Sequence, residues 1–260
     1  MSDGIIIFTA RSSKLEYLAL RRYLNQNTDE TNMTWFTNFL TSSIGRKVVM
    51  SLTGLFLITF LVVHLIGNLQ LLADDGGESF NIYAKFMTSN PLIKFASIGL
   101  YAGIILHAWV GILLWLKNKQ SKGQNYKVKT GANATWASKN MALLGTLILA
   151  FLCIHMGDFW FKMKFTDQVP LVTYASIDYE VKDLYYQVSH TFRNPLLVVV
   201  YVVGMIVLGF HLWHGFASAF QTLGLSHKKY TPIISMIGKI YAVIIPLAFA
   251  AIPLIYFFTK

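Results

Sequence analysis

Five apolar runs, each long enough to cross a bilayer, constrain this chain more than any other feature of its sequence. They lie at roughly 48–72, 92–116, 141–161, 195–220 and 233–258. A bilayer core about 30 Å thick takes about 20 helical residues to cross. Barrel strands would alternate apolar and polar positions over short segments, whereas these runs are apolar on every face. Only 13% of the 260 residues are charged, about half the share of a soluble domain and too few to cover a water-facing surface. The 15% aromatic content excludes a solvated, disordered chain. The expectation is an all-α integral membrane bundle of five transmembrane helices over residues 33–260. Residues 1–32, polar and mixed in charge, read as a disordered extension with no assigned function, and Met33 opens an amphipathic lead-in to the first span. No long internal repeat emerges. The single Cys153 excludes a disulfide within the chain.

The net charge of +10 would suggest nucleic acid on a soluble protein; on a membrane chain it reads as topology. Segments 1–47, 117–140 and 221–232, with Lys239, carry 15 of the 22 basic residues and 4 of the 12 acids. The 24-residue loop 117–140 holds Lys117, Lys119, Lys122, Lys127, Lys129 and Lys139 and no acid. The positive-inside rule then places the N-terminus in the cytoplasm and the C-terminus outside. The basic inner face is also suited to docking a soluble partner, and no nucleic-acid partner is expected.

Five of the seven histidines fall inside spans: His64, His107, His155, His211 and His214. Ionisable residues at membrane depth are rare and mark functional pathways. His64 and His155 come late in the two outward-running spans, roughly 22–25 Å along them at 1.5 Å per residue. His107 and His211 come late in the two inward-running spans. Four antiparallel helices thus set two histidines at an outer level and two at an inner level. Facing imidazoles are what a haem iron with two axial ligands requires, which pairs His64 with His155 and His107 with His211. Copper or zinc also take histidine, but a two-histidine pair without carboxylate or thiolate makes a poor site for either. Gly54 and Gly145 each precede an outer histidine by ten residues, about 15 Å, and so fall near the inner level. There they leave room for a flat macrocycle, or serve as ordinary small residues at helix contacts. His214, one turn beyond His211, is a rival inner ligand or a partner for a propionate. At the outer end of the first span Asn68, Gln70, Asp74 and Glu78 are candidates for a quinone site, or solvated loop residues.

With FLVVHLIGN around His64, GESFNIYAKFMTSNP in the first outer loop, ILHAWVGILLWL around His107, LILAFLCIH around His155 and LGFHLWHGFASAFQTLG around His211, the chain resembles a known family over about residues 40–258. This is the five-helix, di-haem cytochrome b membrane anchor of succinate dehydrogenases and fumarate reductases. The resemblance implies two b haems with axial ligands His64, His107, His155 and His211. It also implies a flavoprotein and an iron–sulfur subunit on the cytoplasmic face of a bacterial inner membrane, and quinone, in particular menaquinone, as the redox partner. It places Ser51 near an inner haem propionate. Quinol-oxidising members carry a glutamate two residues before the inner ligand of the fourth helix, where this chain has Gly209. They carry another after the first outer loop, where the nearest match is Thr88. Both departures favour the succinate-oxidising direction. Other readings of the same histidines are a stand-alone di-haem cytochrome for another dehydrogenase, and a haem-free transporter or anchor.

Overall fold

In a computed structural model, residues 17–18, 35–121 and 135–259 are described. The expected extension over 1–32 lies outside them except for Tyr17 and Leu18, as do Met33, Lys122, Lys127 and Lys129. The chain divides into two units, 1–45 and 46–260. In the first, the short helix α1 (Trp35–Thr41) carries the described part of the lead-in.

Five helices are long and apolar enough to cross a membrane, over Ser43–Leu72, Pro91–Gln120, Met141–Phe165, Pro195–Thr222 and Thr231–Thr259. They make this a multi-pass, almost wholly helical protein. In chain order the elements are α2 (Ser43–Leu69, the first span, ending in a 3-10 turn Gln70–Leu72), α3 (Glu78–Ser89), α4 (Pro91–Ser121, the second span) and α5 (Trp136–Lys139). There follow α6 (Met141–His155), a π-helical turn Met156–Phe161 and α7 (Lys162–Phe165), which together make the third span. A two-residue hairpin, β1 (Leu171–Val172) and β2 (Val181–Lys182), leads to α8 (Leu184–Phe192), α9 (Pro195–Thr222, the fourth span) and α10 (Thr231–Thr259, the fifth). Each span runs a few residues past its apolar core, because helical hydrogen bonds continue to satisfy the backbone beyond the apolar segment. Side chains such as Ile105, Leu196 and Leu247 stay exposed, as a lipid-facing surface requires.

Local sequence sets where the spans begin. The second and fourth both open on Asn-Pro: the Asn90 and Asn194 side chains accept from the amides of Leu92 and Leu196 at 2.9 and 3.0 Å. Proline at the first helical position loses no hydrogen bond. Inside α10 the cost is real, because Pro246 and Pro253 have no N–H to give. The carbonyl of Ala242, which Pro246 leaves without its helical donor, lies 3.1 Å from where a Cβ on Gly209 would be, so the two helices meet closely there. The fifth span also supports the first, as the Tyr241 hydroxyl donates to the Ile58 carbonyl at 2.6 Å and the buried Tyr256 hydroxyl to that of Leu71 at 2.9 Å.

One end of the bundle carries a cap formed by α3, the hairpin and α8. Its centre is Asn81, 1% exposed. The Asn81 amide group donates to the Tyr174 hydroxyl at 2.7 Å and to Asp183 at 2.9 Å, and its carbonyl accepts from the Tyr185 amide at 3.0 Å. Asp183 also caps α8 through the Tyr186 amide. Gly77, at φ +90°, begins α3 in the left-handed region, and a Cβ there would strike the Tyr185 ring.

Candidate functional site

The helices bring the four histidines together two by two. His64 on the first span faces His155 at the end of α6, with ring centroids 5.8 Å apart and planes at 84°. His107 on the second span faces His211 on the fourth, at 6.2 Å and 67°. The levels are separated along the bundle by the chain's own ruler. A Cβ on Gly54 would lie 3.3 Å from the His107 ring and one on Gly145 would lie 4.0 Å from the His211 ring. His64 and His155 each follow ten residues later, about 15 Å further along. The His64/His155 level is the one beneath the cap.

At the cap-side level the walls are aromatic. Phe60 stacks on His64 at 5.2 Å and Phe151 on His155 at 5.9 Å, each from four residues back. Phe249 of the fifth span reaches His64, and Phe159 and Tyr201 stand edge-on to His155. The fifth span therefore contributes a ring to this wall. At the other level glycine takes the place of these rings.

The pairs are asymmetric in hydrogen bonding. Asn68 donates to the His64 carbonyl at 2.7 Å and sits 3.3 Å from its Nδ1; the Thr53 hydroxyl meets the Nδ1 of His107 at 3.1 Å. The partners across each level, His155 and His211, have a buried Nδ1 with no hydrogen-bond partner. Leaving such an atom unsatisfied costs about 1–3 kcal/mol. Each level thus holds one anchored imidazole and one with unused bonding capacity.

This geometry fits a metal held between two imidazoles. With metal–nitrogen bonds of about 2 Å, two rings sharing one ion have centroids about 6 Å apart, with their relative rotation unconstrained. Ordinary edge-to-face packing spans the same distance, 4.5–7 Å, so the separation alone does not choose between them. The orphaned nitrogens and the two glycines against the rings add weight to ligation, since histidine binds metals through either nitrogen. Among the described residues no group of three or more histidine, cysteine or acidic side chains converges as an ion site, so the motif is the pair.

A spaced repeat underlies the pairing. Residues 54–64, GLFLITFLVVH, and 145–155, GTLILAFLCIH, share glycine, Phe-Leu and histidine in one register. Residues 90–111 and 194–215 share Asn-Pro-Leu, then fourteen residues, then His-x-Trp-x-Gly. Spans one and two therefore correspond to spans three and four. A reading of contiguous similarity misses this, because the matching residues are scattered among interchangeable apolar ones.

The remaining candidates are distributed differently. Ser51 is buried, its hydroxyl spent on the Lys47 carbonyl at 3.0 Å. His214 is half-buried beside His211. Asn68 serves His64 directly. Gln70 lies in the 3-10 turn and Asp74 is exposed in the loop after it. Glu78 accepts a short hydrogen bond from Ser176 and belongs to the cap. Thr88 bonds the Ala84 carbonyl of its own helix, and Gly209 faces Ala242 and Pro246 of the fifth span. Sequence reasoning missed Thr53, Phe60, Phe151, Asp158 and Tyr201; the repeated Phe-Leu-x-x-His could have shown the two phenylalanines. Next to Asp75 the cap loop is electrostatically ordered: hydrogen bonds from the Ser79 side chain and amide, then the Gly77 amide, hold its carboxyl below its usual value.

No protein-family profile, curated protein or solved structure matches this chain.

Proposed function

We propose that the chain is the membrane-anchor cytochrome b subunit of a succinate:quinone oxidoreductase. It would hold one b haem between His64 and His155 and another between His107 and His211. The observation that carries this reading is the doubled pairing: two imidazole pairs at axial-ligand separation, about 15 Å apart along one bundle. A bound haem supplies a one-electron carrier at each level; the rest is the work of this chain. The Thr53 hydroxyl gives its own proton to the Val49 carbonyl and so accepts from the Nδ1–H of His107, leaving that ring's Nε2 for iron, a supporting role typical of residues behind metal-bound histidine. Asn68, bonded to the His64 carbonyl, packs beside the His64 ring. Gly54 and Gly145 keep the backbone open beside the second level, and the aromatic walls exclude water from the first. The lipid-facing spans insulate the path between the two membrane surfaces.

The basic loops support docking of an iron–sulfur and a flavoprotein subunit on the cytoplasmic face, and the resemblance supports menaquinone at the cap end. Asn68, Gln70, Asp74 and Glu78 lie at that end. With Gly209 and Thr88 in place of acids, electrons are assigned to run from succinate to quinone, in a bacterial cytoplasmic membrane.

A dithionite-reduced absorption spectrum with pyridine haemochrome quantification tests the reading. Two b haems per chain are expected, and a colourless protein would overturn it. Co-purification of a flavoprotein separates the succinate complex from a stand-alone cytochrome.

A further inference from the structure

The repeat makes one residue conspicuous. Three positions after the cap-side histidine the first half has Gly67 and the second half has Asp158; seven positions after the Asn-Pro asparagine the first half has Ser97 and the second has Tyr201. A carboxylate and its partner have thus been placed on one side only of the paired site. Asp158 sits in the π-helical turn Met156–Phe161, directly after His155. Such turns cluster at functional sites, and a carboxylate at this depth is costly unless it is used. The buried Tyr201 hydroxyl donates to Asp158 Oδ2 at 3.0 Å while its ring stands 6.1 Å from that of His155. Gln187, 3% exposed, donates to the Asp158 carbonyl at 3.0 Å and to Thr191 at 3.2 Å, which fixes the turn. Among the described residues the carboxylate is met by this neutral hydroxyl and by no cation, so its negative charge is not cancelled.

We infer that Asp158 is a tuning residue for the cap-side haem: its carboxylate stabilises the oxidised state of the iron held by His64 and His155, and Tyr201 moderates that charge by donating to it. This rests on the two-haem reading above. The two levels then differ in potential by design of the protein and not of the haem. An anion close to a redox centre in a low-dielectric interior favours its more positive state, and the hydroxyl withdraws part of that effect.

Redox titration of the purified full-length protein, followed in the haem bands, tests this in Asp158→Asn and Tyr201→Phe. In Asp158→Asn the cap-side midpoint is expected to rise by about 59 mV, a tenfold change in the oxidised-to-reduced ratio for one electron, with the other haem unmoved. In Tyr201→Phe it is expected to fall by a few-fold change in the same ratio, because the carboxylate keeps its charge and loses its donor. A merely structural role does not produce opposite signs. If Asp158→Asn fails to hold the haem, the Tyr201→Phe titration decides alone: a fall confined to the cap-side haem supports the role, and an unchanged or raised midpoint overturns it. Unchanged potentials in both variants with both haems bound overturn the tuning role and leave the two-haem reading standing. Absence of haem from the unaltered protein overturns that reading instead.

Discussion

The two halves of the bundle place glycine, phenylalanine and histidine in one register and differ in what surrounds them. In the first half Thr53 and Asn68 reach imidazole nitrogens. Their counterparts in the second half are Leu144 and Phe159, which carry no polar side-chain group, and the Nδ1 atoms of His155 and His211 go unpartnered. The second half has instead Asp158 and Tyr201. One half fixes its rings and the other brings charge. Repetition therefore accounts for the matched depths, and divergence accounts for the division of labour across each level.

The largest expected effect breaks the pairing itself. Replacing His64 or His155 with alanine should remove the cap-side haem alone, and replacing His107 or His211 the other, as read by haem content and spectrum. Loss of the same haem from His64 and His107 variants would show that the pairs are wrongly matched. Next is the anchoring difference: Asn68→Leu should weaken the cap-side haem by about 10–100-fold, the usual loss when a residue supporting a metal-bound histidine is removed. Haem titration of the apoprotein measures it, and Phe159→Leu should show a smaller loss because Phe159 donates no hydrogen bond.

Glycine offers a finer comparison. Alanine at Gly54 would press on the His107 ring, whereas at Gly145 it would meet His211 at ordinary contact distance. A few-fold loss of second-level haem is expected for Gly54→Ala and little for Gly145→Ala; equal losses would remove the distinction. The smallest effect concerns the cap. Asp75 has a lowered folded value, so its contribution is complete above its ordinary pKa of 3.8 and is lost as pH falls through the lower folded value. Tyr174 is raised chiefly by burial, against the hydrogen bond from Asn81, with the nearby carboxylates adding to the rise. Its contribution is complete below its ordinary pKa of 10.0 and is lost as pH rises through the folded value. Amide exchange of residues 171–187, corrected for intrinsic rates, should accelerate at both extremes; exchange that accelerates at neither would dismiss these two groups.

The spans were legible because run length alone separates a membrane helix from a soluble one. The histidine levels were legible because alternating direction converts sequence position into depth. The cap was not. Asn81 lies 93 and 102 residues before Tyr174 and Asp183 in sequence, and in isolation each reads as a loop residue. Asp158 was visible only as an acid at the end of a span, since the π-helical turn and the tyrosine that receives it come from tertiary packing. The same holds for Thr53, an ordinary helix residue until the second span brings His107 against it.

The contact between Gly209 and the proline-freed carbonyl of Ala242 also bears on how this chain could change. A glutamate at position 209 would drive its side chain into the fifth span, where the Ala242 carbonyl lies 3.1 Å from the place its Cβ would take. Accommodating an acid on that face of the fourth helix would first need Pro246 replaced or the fifth helix displaced. The present packing makes such a substitution a path of several coordinated steps, and so works as a ratchet on the chain's history.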